Sequence, residues 1–295
     1  MNKIKTFEQL KTFIRNEPLI EAEPTIAALK RDLVLQSNGS VFFGVGIVSK
    51  ENISISVPFD ILSMFFISEI LRQTLDFKKV MVLIADSHAV SNNTFSNAQI
   101  ENATTKTKST LQKVITNFNL TNFELLLASQ ISQEPEFQTI ILEKLPKISN
   151  EYLRLEIADS LFFQKRDDLK IKLGWTMQKN NREIGHDERF FDRQIKSFCP
   201  DLSFVHLKPG RTFNKERQRV SPYLSVNGES RILLEKGEDV RKKINFAKKD
   251  WPDPNFGGAV RHLANIVRAF EKLNGNIPNM SLEEKIQFIL DKTVE

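Results

Sequence analysis

Val80–Asn93 reads VMVLIADSHAVSNN. Five apolar residues in succession, Val80 to Ile84, predict a strand buried on both faces, and the run stops at the polar group Asp86-Ser87-His88. A second run, Ser40–Ser49 SVFFGVGIVS, ends among the glycines Gly44 and Gly46, and a third, Phe123–Ser129 FELLLAS, lies further on. Asp168–Trp175, DLKIKLGW, alternates as a strand does. Helical stretches separate the runs: Pro58–Gln73 carries an apolar stripe, Asn97–Asn117 lacks breakers, and Glu151–Phe163, Asp187–Phe198 and Glu238–Lys249 follow. Strands alternating with helices predict an α/β fold around a Rossmann-like parallel sheet, with ligands held beyond the carboxyl ends of the strands. That rule puts Gly44, Gly46, Asp86 and His88 at one crevice.

Four units are expected: an N-terminal helical segment over 1–35, the sheet core with a helical insertion over 36–205, a basic stretch over 206–250, and short C-terminal helices over 251–295. The turn-rich DWPDPNFGG at 250–258 separates the last two. The chain has 295 residues, 40% hydrophobic and 27% charged, with 23 Phe against two Tyr and two Trp. A core is therefore well supplied, while aromatic hydroxyls are scarce. One cysteine, Cys199, excludes an internal disulfide, and a reducing, cytoplasmic setting is expected. The apolar stretches are too short to span a bilayer, which predicts a soluble protein without membrane partners. The net charge of +5 is concentrated: Val205–Lys249 holds twelve Lys/Arg against five Asp/Glu. Such a segment suits a polyanion, and equally a solvated basic face.

The four histidines, His88, His186, His206 and His262, have no metal-ligand spacing, so no metal is expected. His186 and Asp187 precede a helix that Asp187 could cap. Asp86 and His88 are open to a ligand role or to turn capping. Tyr152 and Glu156 stand four apart, on one helix face.

Three segments together resemble the catalytic domain of the tyrosyl- and tryptophanyl-tRNA synthetases, the class I enzymes with a dinucleotide-fold (HUP-type) core. KKVMVLIADSHAVSNN is similar to their second-strand segment. IGHDERFFDRQIKSFCPDL resembles the later segment that holds amino acid and ribose, and SPYLSVNGESRILLEKGEDVRKKINFAKK resembles the KMSKS loop with its helix. The resemblance implies a homodimer, an amino-acid or nucleotide ligand, and contact with tRNA or aminoacyl-tRNA. It implies substrate-binding roles for Gly44, Gly46, Asp86, His88, His186 and Asp187.

The departures from the family bear on activity. Where HIGH belongs stands Ser54-Ile55-Ser56-Val57, and the KMSKS position reads Tyr223-Leu224-Ser225-Val226-Asn227. Losing one preorganised donor to a developing oxyanion costs about 10²–10³ in rate. Adenylate formation is therefore expected to be lost, ATP not to be a required cofactor, and Ser54, Ser56, Tyr223 and Ser225 to be degenerate motif positions. Arg217, Arg219 and Arg231 could offer charge to phosphate or tRNA. The family's Tyr-x-x-x-Gln helix motif aligns with Ser160–Gln164 followed by Asp167, with Gly174 in place of the aspartate that reads a phenol. Cyclodipeptide synthases share this core, lack both ATP signatures and use a helical Tyr-x-x-x-Glu pair with a serine after the first strand. Tyr152 and Glu156 fit that pair, and Ser49 is the nearest serine. An aminoacyl-tRNA-using transferase and an active synthetase with an atypical ATP site thus remain the alternatives.

Overall fold

The computed structural model describes residues 2–36, 38–47, 57, 59–90, 95–175, 188–208, 212–213, 219–220, 234, 240–241, 244, 258–277 and 279–294. Among these, five parallel strands form one sheet: β1 (Ser40–Val45), β2 (Lys79–Ile84), β3 (Phe123–Leu127), β4 (Leu169–Trp175) and β5 (Ser203–Leu207), in the order β3-β2-β1-β4-β5. Four strands fall where the apolar runs predict. β5 was not legible beforehand, because SFVHL is five residues long and carries a histidine. It carries the core beyond residue 205, where the sequence had set a boundary.

The order has a mechanical consequence. From β1 the chain adds β2 and β3 on one side, then returns to add β4 and β5 on the other. Right-handed crossovers therefore send the connecting helices to opposite faces. One face is covered by α3 (Ile61–Leu75) and α5 (Asn97–Asn117), joined by the C-terminal helices Gly258–Asn274 and Leu282–Val294. The other is covered by α8 (Glu151–Asp167) and α9 (Glu188–Phe198). Between β2 and α5 lies the short helix α4 (Asp86–Val90). Between β3 and α8 lie α6 (Ala128–Ile131), α7 (Pro135–Thr139) and a π-helical turn at Ile140–Lys144.

Phenylalanine does much of the packing. Phe66 of α3 meets Phe118 and Phe270 edge-on, with centroids 5.6 Å apart in both pairs. Beneath α8, Phe42 and Phe163 pack with tilted rings, centroids 5.0 Å apart. The helical N-terminal segment, α1 (Phe7–Asn16) and α2 (Ala22–Ala28), belongs to the same core: Leu10, Ile14, Leu19 and Ile20 are fully buried. It adds to the edge of β5 through Glu21 N–H to His206 O and Lys208 N–H to Leu19 O, both 2.8 Å. α3 and α8 each end on an aspartate in the left-handed region, Asp76 (φ 60°) and Asp168 (φ 51°), which stops the helix before the next strand. No helix among the described residues is long and apolar enough to cross a membrane.

Candidate functional site

The strand order reverses between β1 and β4, and there the sheet opens. Their pairing runs from Ser40/Leu169 to Phe42/Lys172 and stops short of the strand ends at Val45 and Trp175. On the α8 side of this gap a β-carbon on Gly44 would meet no described residue within 4 Å, and the same holds for Gly46. Such a crevice, at a topological switch point beyond strand carboxyl ends, is where open α/β sheets hold ligands.

α8 supplies one wall. Its amino end is capped by Asn150, whose Oδ1 accepts from Leu153 N–H at 2.9 Å. As the crossover into β4 it runs back along the strands. Asp167 and Asp168 therefore lie at the start of β1, where Ser40 Oγ donates to Asp167 O and Ser40 N–H to Asp168 O. Only the first half of α8 reaches the crevice. Tyr152, Glu156 and Asp159 occupy that half at spacings of four and three, along one face.

These three meet His88 of α4 and Lys172 of β4 in a buried ionic cluster. Lys172 Nζ lies 2.5 Å from Glu156 Oε2. Tyr152 stands one turn before Glu156 on the same face of α8. His88 Nε2 is 3.3 Å from Asp159 Oδ2, its Nδ1 is 3.9 Å from Glu156 Oε1, and its ring packs edge-on against Tyr152. Behind the cluster, His206 of β5 stands 3.4 Å from Asp192 of α9. His88 is 4% exposed and Asp159 2%.

Burial by itself would lower His88, but the Asp159 carboxylate, with Glu156 behind it, holds the imidazole above its ordinary value. Burial raises Asp159, against the pull of His88. Glu156 would rise likewise, yet Lys172 and then His88 keep it below the usual carboxylate range. Lys172 is held above its ordinary value because Glu156 outweighs the cost of burial. Glu156 and Lys172 are therefore an ion pair at neutral pH, and His88 is held beside Asp159 at 3.3 Å.

The other expected site residues divide sharply. Asp86 is engaged by the fold: Oδ1 accepts from Ser87 N–H (2.9 Å) and Ser129 N–H (2.8 Å), and Oδ2 from Ser129 Oγ (2.6 Å). It clasps the end of β2 to the start of α6. Gln164 and Asp167, the residues of the Ser160–Gln164 register, lie at the amino end of the sheet, away from the crevice. Asp167 there binds Lys79 and Arg166, each at 2.6 Å. The direction of α8 brings Tyr152, Glu156 and Asp159 toward the strand carboxyl ends and leaves Gln164 toward the other end of the sheet. Ser49, Ser54, Ser56, His186, Asp187, Arg217, Tyr223, Ser225 and Arg231 lie outside the described residues. Arg219 is described only as backbone, in a two-residue strand (Arg219–Val220) paired antiparallel with Thr212–Phe213. Cys199 is fully buried and burial pushes its thiol up to about 11, so it is unsuited to a disulfide with a second chain.

Sequence reading missed Asp159 and Lys172. Asp159 left a signal, continuing the Tyr152–Glu156 face at i+3, whereas Lys172 left none, standing at a polar position of the alternating run Asp168–Trp175. Among the described residues no group of three or more His, Cys, Asp or Glu is placed to hold a metal ion.

No protein-family model matches the chain, and no curated protein does. Solved structures do. Tyrosyl-tRNA synthetase from Aeropyrum pernix is 13% identical with a TM-score of 0.64, over 98% of this chain and 94% of that one. Tyrosyl-tRNA synthetase from Archaeoglobus fulgidus, complexed with L-tyrosine, is 13% identical with a TM-score of 0.60, over 97% of both chains. Plasmodium falciparum tryptophanyl-tRNA synthetase is 15% identical with a TM-score of 0.51, over 86% and 75%. At such identity the likeness is one of fold, and it extends over nearly the full length of both archaeal enzymes.

Proposed function

We propose that this chain is a tyrosyl/tryptophanyl-tRNA synthetase-like protein that has lost ATP-dependent amino-acid adenylation and binds a small ligand of amino-acid or nucleotide type, or the acceptor end of a tRNA, in the β1/β4 crevice. The observation that carries this reading is the juxtaposition of open space over Gly44 with the buried Tyr152–Glu156–Asp159–His88–Lys172 cluster. Asp159 Oδ1 is buried with no hydrogen-bond partner among the described residues, and a buried acceptor of that kind is completed by a donor from a ligand or water. The loss of adenylation is supported by the sequence, which has Ser54 and Val57 at the two HIGH histidine positions, Ser56 at the glycine, and tyrosine at the first KMSKS lysine.

Amino-acid-dependent exchange of pyrophosphate into ATP tests it, with each of the twenty amino acids. The expected result is exchange at background together with saturable binding of tRNA or a small ligand. Exchange above background overturns the reading and favours the atypical synthetase.

A second reading, an aminoacyl-tRNA-using transferase of cyclodipeptide-synthase type, is favoured by Tyr152 and Glu156, which stand one turn apart on the face of α8 beside the crevice. Against it, Glu156 is held below the usual carboxylate range by Lys172, whereas a general base works best near the operating pH. Dipeptide products from charged tRNA that vanish in Glu156→Gln would establish it.

A further inference from the structure

Lys172 stands in surroundings suited to a free ammonium ion. Its Nζ is 2.5 Å from Glu156 Oε2, 3.4 Å from Ser160 Oγ and 5.5 Å from the centroid of the Phe42 ring. Ser160 Oγ donates its own hydrogen to the Glu156 carbonyl at 2.8 Å, which leaves its lone pairs to accept from the ammonium. A carboxylate, a hydroxyl oxygen and an aromatic face are the three groups by which a primary ammonium is recognised in water-poor sites. The cage walls come from two elements, β1 and α8, and its occupant from a third, β4, so it is part of the core and not a surface accident. The side chain that fills it is only 11% exposed.

We propose that Lys172 is a tethered ammonium occupying this cage, and that it makes the crevice select ligands whose amino group is absent or acylated over those with a free primary ammonium. Two features lead there. Glu156, the carboxylate that would receive a ligand's ammonium, is already neutralised from within. A second ammonium brought to it would meet the like charge of Lys172 at close range in a medium of low dielectric constant. Swinging Lys172 aside would in turn leave its charge without a carboxylate under α8. As to the ligand, the inference rests on the β1/β4 crevice being the binding site; the cage itself does not.

Two measurements on the full chain test it. Lys172→Ala removes three methylenes and the ammonium, the atoms of n-propylammonium. Thermal unfolding in n-propylammonium chloride, against equal n-propanol and sodium chloride, is expected to raise the Tm of Lys172→Ala by several degrees. Wild type, Lys172→Met and Lys172→Ala/Glu156→Gln should move by less than one degree. If Lys172→Ala folds only when the amine is present, that recovery counts as binding. A variant that no amine stabilises or recovers, while Lys172→Met folds, overturns the cage.

The second measurement compares wild-type binding of L-tyrosine, L-phenylalanine and L-tryptophan with binding of the matching 3-arylpropionates. The arylpropionates should bind at least tenfold tighter, and the preference should fall in Lys172→Ala. Tighter binding of the free amino acids by wild type overturns the inference. If wild type binds neither series, an amino-acid-type ligand fails for the crevice, while the amine result alone still decides the cage.

Discussion

The two ends of α8 hold ion pairs of similar residue types in unlike settings. At the carboxyl end of the helix, Asp167 accepts from Lys79 and Arg166, and these cations reach Glu124 and Glu134 at the rim of the sheet. The guanidinium of Arg166 lies over the Phe162 ring at 4.9 Å. The Lys79 and Arg166 side chains keep 24% and 28% of their surface, so water shares the work of solvation. At the amino end His88, Asp159 and Lys172 keep only 4%, 2% and 11% of their side-chain surface and Glu156 22%, and no described residue fills the space over Gly44. The first network is complete in itself and holds strands β2 and β3 to the helix. The second concentrates charge where desolvation is costly and where each charge depends on its partner, next to the gap in the sheet.

Denaturant unfolding at pH 7 can break that comparison, and the largest effect is expected at the buried end. Lys172→Met leaves Glu156 without its cation in a closed site, which should cost about 3–5 kcal/mol, and Lys172→Met/Glu156→Gln should recover most of the loss. Additive costs in the double variant would mean that the pair is not coupled.

Asp167→Asn, at the open end, should cost about 1.5–3 kcal/mol, the worth of hydrogen bonds to a charged group. Burial opposes ionisation of Asp167, but Lys79 and Arg166 outweigh it and hold the carboxyl below its ordinary value. Its contribution is thus present above an unfolded pKa of about 3.9 and is lost as pH falls through the lower folded value. The difference between wild type and Asp167→Asn should shrink over that window and be unchanged between pH 5 and 7.

The buried end should titrate the other way. His88 is raised in the fold, so its contribution is complete below an unfolded pKa of about 6.5 and fades as pH rises through the folded value. The advantage of wild type over His88→Gln should be smaller at pH 9 than at pH 6; an advantage that grows with pH would show the imidazole neutral in the fold. The smallest effect serves as a reference. Lys3→Ala breaks an ion pair with Asp76 whose side chains are 55% and 62% exposed, and it should cost no more than about 0.2–1 kcal/mol.

Much of the fold was legible because its signals are local. Val80–Ile84 is apolar on both faces of a strand, and Tyr152 and Glu156 share a helix face by spacing alone. The site was legible only in part. Asp86 looked like a ligand group because it ends a strand, yet the backbone of Ser129, 43 residues on, takes its carboxylate. Lys172 looked like an ordinary polar member of an alternating strand, since nothing near it in sequence tells that β4 is central, between β1 and β5.

The sequence by itself determined which residues could share a surface: a helix repeats every 3.6 residues and a strand every two, whatever surrounds them. Only the tertiary structure decided which end of α8 meets the crevice, and that Lys172 lies under it. Those outcomes depend on the order of strands across the sheet and on the handedness of the crossovers. Both are set by burying surfaces far apart in the chain, and no local pattern records them.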